Sequence, residues 1–161
     1  MIRLAEKKDL NIIQDIFNKA KIFMRNDGNM HQWNGNYPSD EILLNDISNN
    51  NLYVCYSDDL IYGVFYFYIG IDETYNYIEG SWPNNEEYGT IHRIASNGLR
   101  RGVFEEVVEF AKIKISNIRI DTHEDNKFMR EKLNKNNFKY CGIIYINDGS
   151  PRRAYQYIVE E

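Results

Sequence analysis

The stretch from Glu87 to Thr122 constrains this chain most. "EYGTIHRIAS" is rich in strand formers. "GVFEEVVEFAKIKI" follows, with Phe104, Val107, Val108, Ala111 and Ile115 on one helical stripe. "NIRIDT" is again a short, buried strand. Strand, helix and strand in succession need a crossover, and hence a local parallel pair within a sheet.

The flanks predict a mixed sheet around that unit. "IRLA" reads as a first strand, and Asp9 as the cap of a helix with Ile13, Ile16, Phe17, Ala20 and Met24 on its buried face. "RNDGNMHQWNGNYP" is a loop, and Ser39 before Asp40 and Glu41 opens a short second helix. "LYVCY", the turn "SDD" and "LIYGVFYFYIGI" form a hairpin, and residues 72–86 a turn-rich surface excursion. A helix over 126–136 carries Phe128, Met129 and Leu133. "FKYCGIIYI", the turn "NDGSP" and "RAYQYIV" close the chain with two strands. The expected fold class is α/β (α+β). Its sheet has about seven strands, mixed and mostly antiparallel, with helices on both faces. The 161 residues fit a single domain, 1–161.

Composition narrows the function. A formal charge of −5 disfavours nucleic-acid partners, which need a basic surface. The two cysteines, Cys55 and Cys141, have neither metal-ligand nor disulfide-framework spacing, so no metal is expected. The opening "MIRLAEKKDL" lacks the apolar core of a signal peptide, and the apolar run 61–71 is too short to span a bilayer. A soluble, cytoplasmic protein without a membrane partner is the expectation.

The turn "SNGLRRGVF" carries chemistry. A strand-turn-helix presents backbone N–H donors and a positive helix end to an anion, and a phosphate suits it. Gly102 permits close backbone approach, and Arg100 and Arg101 add charge. Against this, Phe104, Glu105 and Glu106 stand at the helix mouth. Phe104 either begins the core stripe or obstructs the anion. The glutamates favour the helix dipole and would repel a phosphate, by about 1 kcal/mol for exposed charges.

The element order, with "HRIASNGLRRGV" at its centre, resembles the GNAT superfamily of acyl-CoA-dependent N-acyltransferases, small bacterial members in particular. Four pieces carry the resemblance: "IRLAEKKDLNIIQDIF", "NGLRRGV" in the place of the pyrophosphate loop, "THEDNKFMREKLNKNNFKYCG", and the closing "CGIIYINDGSPRRAYQY". The resemblance implies acetyl-CoA as co-substrate. Its pantetheine arm would lie along Ile94 and Ser96, its diphosphate on Leu99, Arg100, Arg101, Gly102, Val103 and Phe104. Asn126, at a helix start, either caps that helix or makes the contact to the pantetheine or acyl carbonyl that the resemblance implies. The chain departs from the family at Leu99, Phe104 and Asn137. Leu133 departs too, standing where a tyrosine often protonates the leaving thiolate.

Transfer to nitrogen needs a base for the ammonium. His92 on the central strand suits that role or is a packed strand histidine, and Glu87 is the alternative base. His123 would orient the loop "THEDN", and His31 sits in the first loop. Tyr145 and Tyr155 are candidates for the missing acid, though a chain with 13 tyrosines places some there by chance. Trp33 and Tyr37 either recognise the acceptor or plug a loop onto the core. The implied function is acetyl transfer to a primary amine, on a small molecule or a protein N-terminus. The competing reading is a degenerate GNAT-like domain that only binds a ligand or partner. A homodimer could form through "VFYFY" and the last strand.

Overall fold

The computed structural model describes residues 1–159. Its elements run β1 (Ile2–Leu4), α1 (Leu10–Asn26), α2 (Asp40–Ser48), β2 (Leu52–Ser57), β3 (Leu60–Ile69), β4 (Glu79–Gly80), β5 (Gly89–Ser96), α3 (Val103–Lys114), β6 (Ile118–Thr122), α4 (Lys127–Lys135), β7 (Phe138–Tyr145) and β8 (Pro151–Tyr157). Eight strands form one sheet in the order β1-β2-β3-β5-β6-β8-β7-β4. Every pair is antiparallel except β5 with β6. The sequence pattern anticipates seven of these strands. The eighth, β4, is two residues long, and such a length leaves no alternation to read. It exists because Gly80 lies against Gly142, where a Cβ on either would meet a backbone carbonyl of the other strand at 2.2 Å.

Helices cover both faces. On one, Ile13, Ile16 and Phe17 of α1 and Leu43 and Ile47 of α2 pack on Val54, Val64 and Ala95. On the other, Phe104, Val107, Val108 and Ala111 of α3, with Leu133 of α4, pack on Phe65, Ile91, Ile120 and Tyr155. Burying each such side chain contributes about 1.5–3 kcal/mol. The excursion 70–88 covers the half-face that α1 and α2 leave open. There Tyr75 and Tyr88 pack on Ile144 and Ala154, and Trp82 packs alongside.

One local expectation holds and another changes. Ser39 caps α2, its Oγ accepting from the Ile42 amide at 3.3 Å. Asp9 does not cap α1, because its carboxylate is taken by Arg3 at 2.8 Å and by the Glu6 amide at 2.8 Å. A buried acid meets its charge partner before it meets a helix end. β3 and β8, the strands expected to meet across a dimer, each have a strand neighbour on both sides, and the outer edges of the sheet belong to β1 and β4.

Candidate active site

Strands β5 and β6 touch only at their start. Gly89 pairs with Ile118 and Thr90 with Arg119, and no register pair follows. Beyond Thr90 the two strands part. The edge of β5 from Ile91 to Ser96 is left without a strand partner on that side. A cavity of about 550 Å³ opens in the gap, walled by β5, β6, the 31–37 loop, the start of the excursion, α4 and the β7–β8 turn.

A bulge shapes the wall. Tyr66 pairs with His92 and Val64 with Ala95, so Phe65 faces both Arg93 and Ile94. Arg93 takes a left-handed conformation, φ 49°. The bulge breaks the strand alternation, and two successive polar side chains, His92 and Arg93, line the cavity together. Nε and Nη2 of Arg93 donate to Asp46 of α2 at 2.9 and 2.7 Å, Nη1 to the Tyr37 hydroxyl at 3.1 Å, and its guanidinium stacks 4.6 Å over Tyr66. Burial works against the Arg93 charge, but Tyr37 and Asp46 more than offset it.

His92 sits between two acids. Its Nε2 is 2.7 Å from Asp72 Oδ2, and its Nδ1 is 3.6 Å from Asp121 Oδ2. Tyr75, fully buried, donates its hydroxyl to the same Asp121 oxygen at 2.7 Å. Burial pushes the Asp72 carboxyl up. The His92 hydrogen bond and charge, then the Thr74 hydroxyl and amide, outweigh it and hold Asp72 down at about 2. A 2.7 Å contact to so strong an acceptor places the neutral ring's proton on Nε2. The Nδ1 lone pair then faces the gap towards Asp121.

At the far end of β5 the chain turns through Gly98 and Gly102, both left-handed at φ 81° and 80°. Gly102 is the N-cap of α3, and no side chain caps that helix. Phe104 is 6% exposed and turned into the core against Phe138. Glu105 is held by Lys132 at 2.8 Å and Glu106 by the Tyr62 hydroxyl at 2.7 Å, so both acids are engaged away from the turn.

No family model matches the chain, and neither does any curated protein. Solved structures do. A GNAT-family acetyltransferase from Streptococcus agalactiae is 32% identical over 100% of this chain and 96% of its own, with a TM-score of 0.86. This chain belongs to the GNAT family. A putative acetyltransferase from Staphylococcus aureus is similar at 26% identity, over 99% of each chain, with a TM-score of 0.72. A GNAT-family acetyltransferase from Listeria monocytogenes, at 16% identity and a TM-score of 0.70, shares the fold.

The GNAT fold places the anticipated residues unevenly. His92, Ile94, Trp33, Tyr37 and Asn126 line the cavity. Trp33 also packs edge-on against Phe17 at 5.3 Å. Asn126 caps α4, its Oδ1 accepting from the Met129 amide at 3.1 Å. Ser96, Leu99, Arg100, Arg101, Gly102 and Val103 do not line the cavity; they follow Ile94 in the chain, into the turn before α3. Leu99 is 84% exposed, and Arg100 stacks 4.3 Å over Tyr62.

Three candidates fall outside. Glu87 is exposed before the paired start of β5, at the end of the strand away from the gap. Tyr145 lies exposed beside Tyr77 near the β4–β7 edge. Tyr155 faces the α3 core, its hydroxyl accepting from Arg153 at 3.1 Å. None of the three lines the cavity. Leu133 is fully buried, so no hydroxyl occupies that position of α4. The residues that sequence reading missed are Asp72, Tyr75, Asp121, Arg93 and Asp46. A signal existed for Asp121, because "IRID" alternates two buried isoleucines with two charged residues facing the other way. Asp72 and Tyr75 lie in the excursion, where no period marks a face.

Proposed function

We propose that this GNAT protein is an N-acetyltransferase that moves an acetyl group from acetyl-CoA to a primary amine by direct attack on the thioester. The splay of β5 from β6 carries the reading. It leaves β5 from Ile91 to Ser96 without a strand partner on the β6 side, and the turn beyond leads to a helix N-terminus that no side chain caps. Ile94 and Ser96 would hold the pantetheine arm as an added strand is held. The amides of residues 99–104, the dipole of α3, Arg100 and Arg101 would hold the diphosphate. With Phe104 in the core and both glutamates engaged, the features that argued for a degenerate loop have a packing explanation. Acetyl-CoA supplies an acyl group already activated as a thioester.

The chain supplies orientation and a base. An ammonium entering the gap between Nδ1 of His92 and Asp121 donates one proton to each. Asp72 fixes the ring so that Nδ1 takes the proton and leaves a neutral amine to attack. The imidazolium so formed lies between two carboxylates, which stabilise it. A backbone N–H on the free edge of β5 polarises the acyl carbonyl; as the C–N bond forms the C–S bond breaks, and the surplus proton of the attacking nitrogen passes to the departing thiolate, giving the amide and free thiol.

Thermal unfolding with acetyl-CoA, against adenosine 3',5'-bisphosphate, tests the binding half. Ligand at 100 times its Kd stabilises by about 2.7 kcal/mol. For a chain of this size that is a shift of roughly 5–10 °C. Amine-dependent thiol release tests the chemistry. H92A is expected to keep the shift and lose on the order of 10²-fold or more in kcat. No shift at millimolar acetyl-CoA, or no thiol release across a broad amine panel, would overturn the proposal.

A further inference from the structure

Four charged side chains are buried among the described residues: Asp9, Asp46, Arg119 and Arg152. Three are matched. Asp9 pairs with Arg3 at 2.8 Å, and Asp46 with Arg93 at 2.7 Å. Arg119 donates to Gln156 at 2.9 Å and to the Asn84 carbonyl at 3.1 Å, and stacks on Trp82 and Tyr88. Arg152 is different. Like Arg119 it enters no ion pair among the described residues, but it is 8% exposed, lines the cavity and lacks the partners that hold Arg119. Its side chain makes one hydrogen bond, from Nη1 to the carbonyl of Pro151 beside it, at 3.0 Å.

The nearby acid does not neutralise it. Asp148, in the β7–β8 turn, is exposed and forms no ion pair with Arg152; its Oδ1 accepts from the amide of Ser150 at 2.9 Å and from the hydroxyl of Ser150. The field of Arg152 reaches Asp148, whose carboxyl is held down first by the Ser150 hydrogen bonds and in smaller part by this charge, and His123, whose proton affinity is lowered first by burial and then by this charge. A guanidinium stays charged at any working pH, and a buried charge without a partner is costly. The arrangement makes sense when an anion enters the cavity. A planar fork of N–H donors matches a carboxylate best.

Gln32 adds a second donor. Asn126 Oδ1 accepts from the Met129 amide, so its Nδ2 must be the donor to Gln32 Oε1 at 3.1 Å. Asn29 and Thr122 donate to the same oxygen, at 3.0 and 3.5 Å. The orientation of the Gln32 amide is thereby set by a backbone N–H. Its Nε2 has no protein acceptor among the described residues, and Gln32 lines the same cavity.

We infer that the acceptor is a small amine that also bears a carboxylate, an amino acid or close analogue. Its ammonium goes to Asp121 and His92, and its carboxylate to Arg152 and Gln32. This rests on the N-acetyl-transfer reading and names its substrate class. Arg152 sits on the cavity face of β8, as Asp121 sits on that face of β6: Asp121 is the register partner of Ala154, two residues from Arg152. One cavity therefore offers an acidic end for the amine and a basic group for the carboxylate.

Matched pairs test it: glycine with glycinamide, β-alanine with its amide, and phenylalanine with its amide. Two readouts are taken, amine-dependent thiol release and thermal stabilisation by the amine alone. At least one acid is expected to outperform its amide in kcat/KM. R152Q is expected to cut that acid-to-amide ratio on the order of 10²-fold, while R152K retains part of it. The acetyl-CoA thermal shift of each variant reports whether it is folded and binds the co-substrate. Transfer to amines with no preference for the acid in any pair, or a ratio unchanged in R152Q, overturns this inference and leaves the transferase standing. Acid-selective stabilisation that R152Q abolishes, with no thiol release, supports the carboxylate site and sinks the transfer reading. Neither stabilisation nor transfer with any pair overturns both.

Discussion

Asp72 sets the state of His92. Burial alone would raise its carboxyl, but the hydrogen bond and charge of His92, with the two bonds from Thr74, bring it from 3.8 to about 2. A depressed acid stabilises the fold above its unfolded value, and that contribution is lost as pH falls through the folded value. The difference in unfolding free energy between wild type and D72N is therefore expected to be largest near about pH 5 and to shrink as pH falls towards about 2. Denaturant unfolding across that range checks it, and a difference that widens in acid would contradict the assignment. His92 was legible as a strand histidine where a base would serve. Its two acids were not, since they come from β6 and from the excursion, 29 and 20 residues away in sequence.

At the start of helix α3, core packing and the proposed anion binding divide within two residues. Phe104 faces Phe138 in the core, whereas the N–H groups beside it face the turn. F104A is expected to cost about 3–5 kcal/mol of stability through the cavity it leaves. Its acetyl-CoA affinity, measured well below the melting temperature, should change little. G102A tests the opposite case. A Cβ on Gly102 would meet nothing within 4 Å, but φ is 80°, so strain alone costs about 1–2 kcal/mol and spoils the donors' aim. Calorimetric titration of acetyl-CoA into both variants distinguishes the roles, and a larger affinity loss in F104A would reverse them. The stripe of α3 was readable from the sequence. Which way its first residue turned was not, because a helix start has no preceding turn to phase it.

Across the whole molecule, the Asp46–Arg93 pair ties the α1–α2 layer to the bulged strand. Both partners are largely buried, so removing one strands the other. D46A is expected to cost about 3–5 kcal/mol. D46A combined with R93A should cost less than the sum of the two, by about 0.5–3 kcal/mol. Additive losses in urea unfolding would show that the pair does not couple the layers. The comparison structures agree at this scale, with the fold retained at 16% identity.

Order and layering followed from local pattern. The crossover around α3, the β2–β3 hairpin and the two helical faces depend on residue spacing, and spacing is written along the chain. Tertiary structure alone decided the rest. The bulge at Arg93, the early parting of β5 from β6 and the two-residue β4 depend on register between distant strands. The active site inherits that dependence. His92, Asp72, Asp121, Tyr75, Gln32 and Arg152 come from five separate stretches of chain. Each looks ordinary where it stands in sequence, and only the gap opened by the splayed strands brings five of them to the wall of one cavity, with Tyr75 behind them bonded to Asp121.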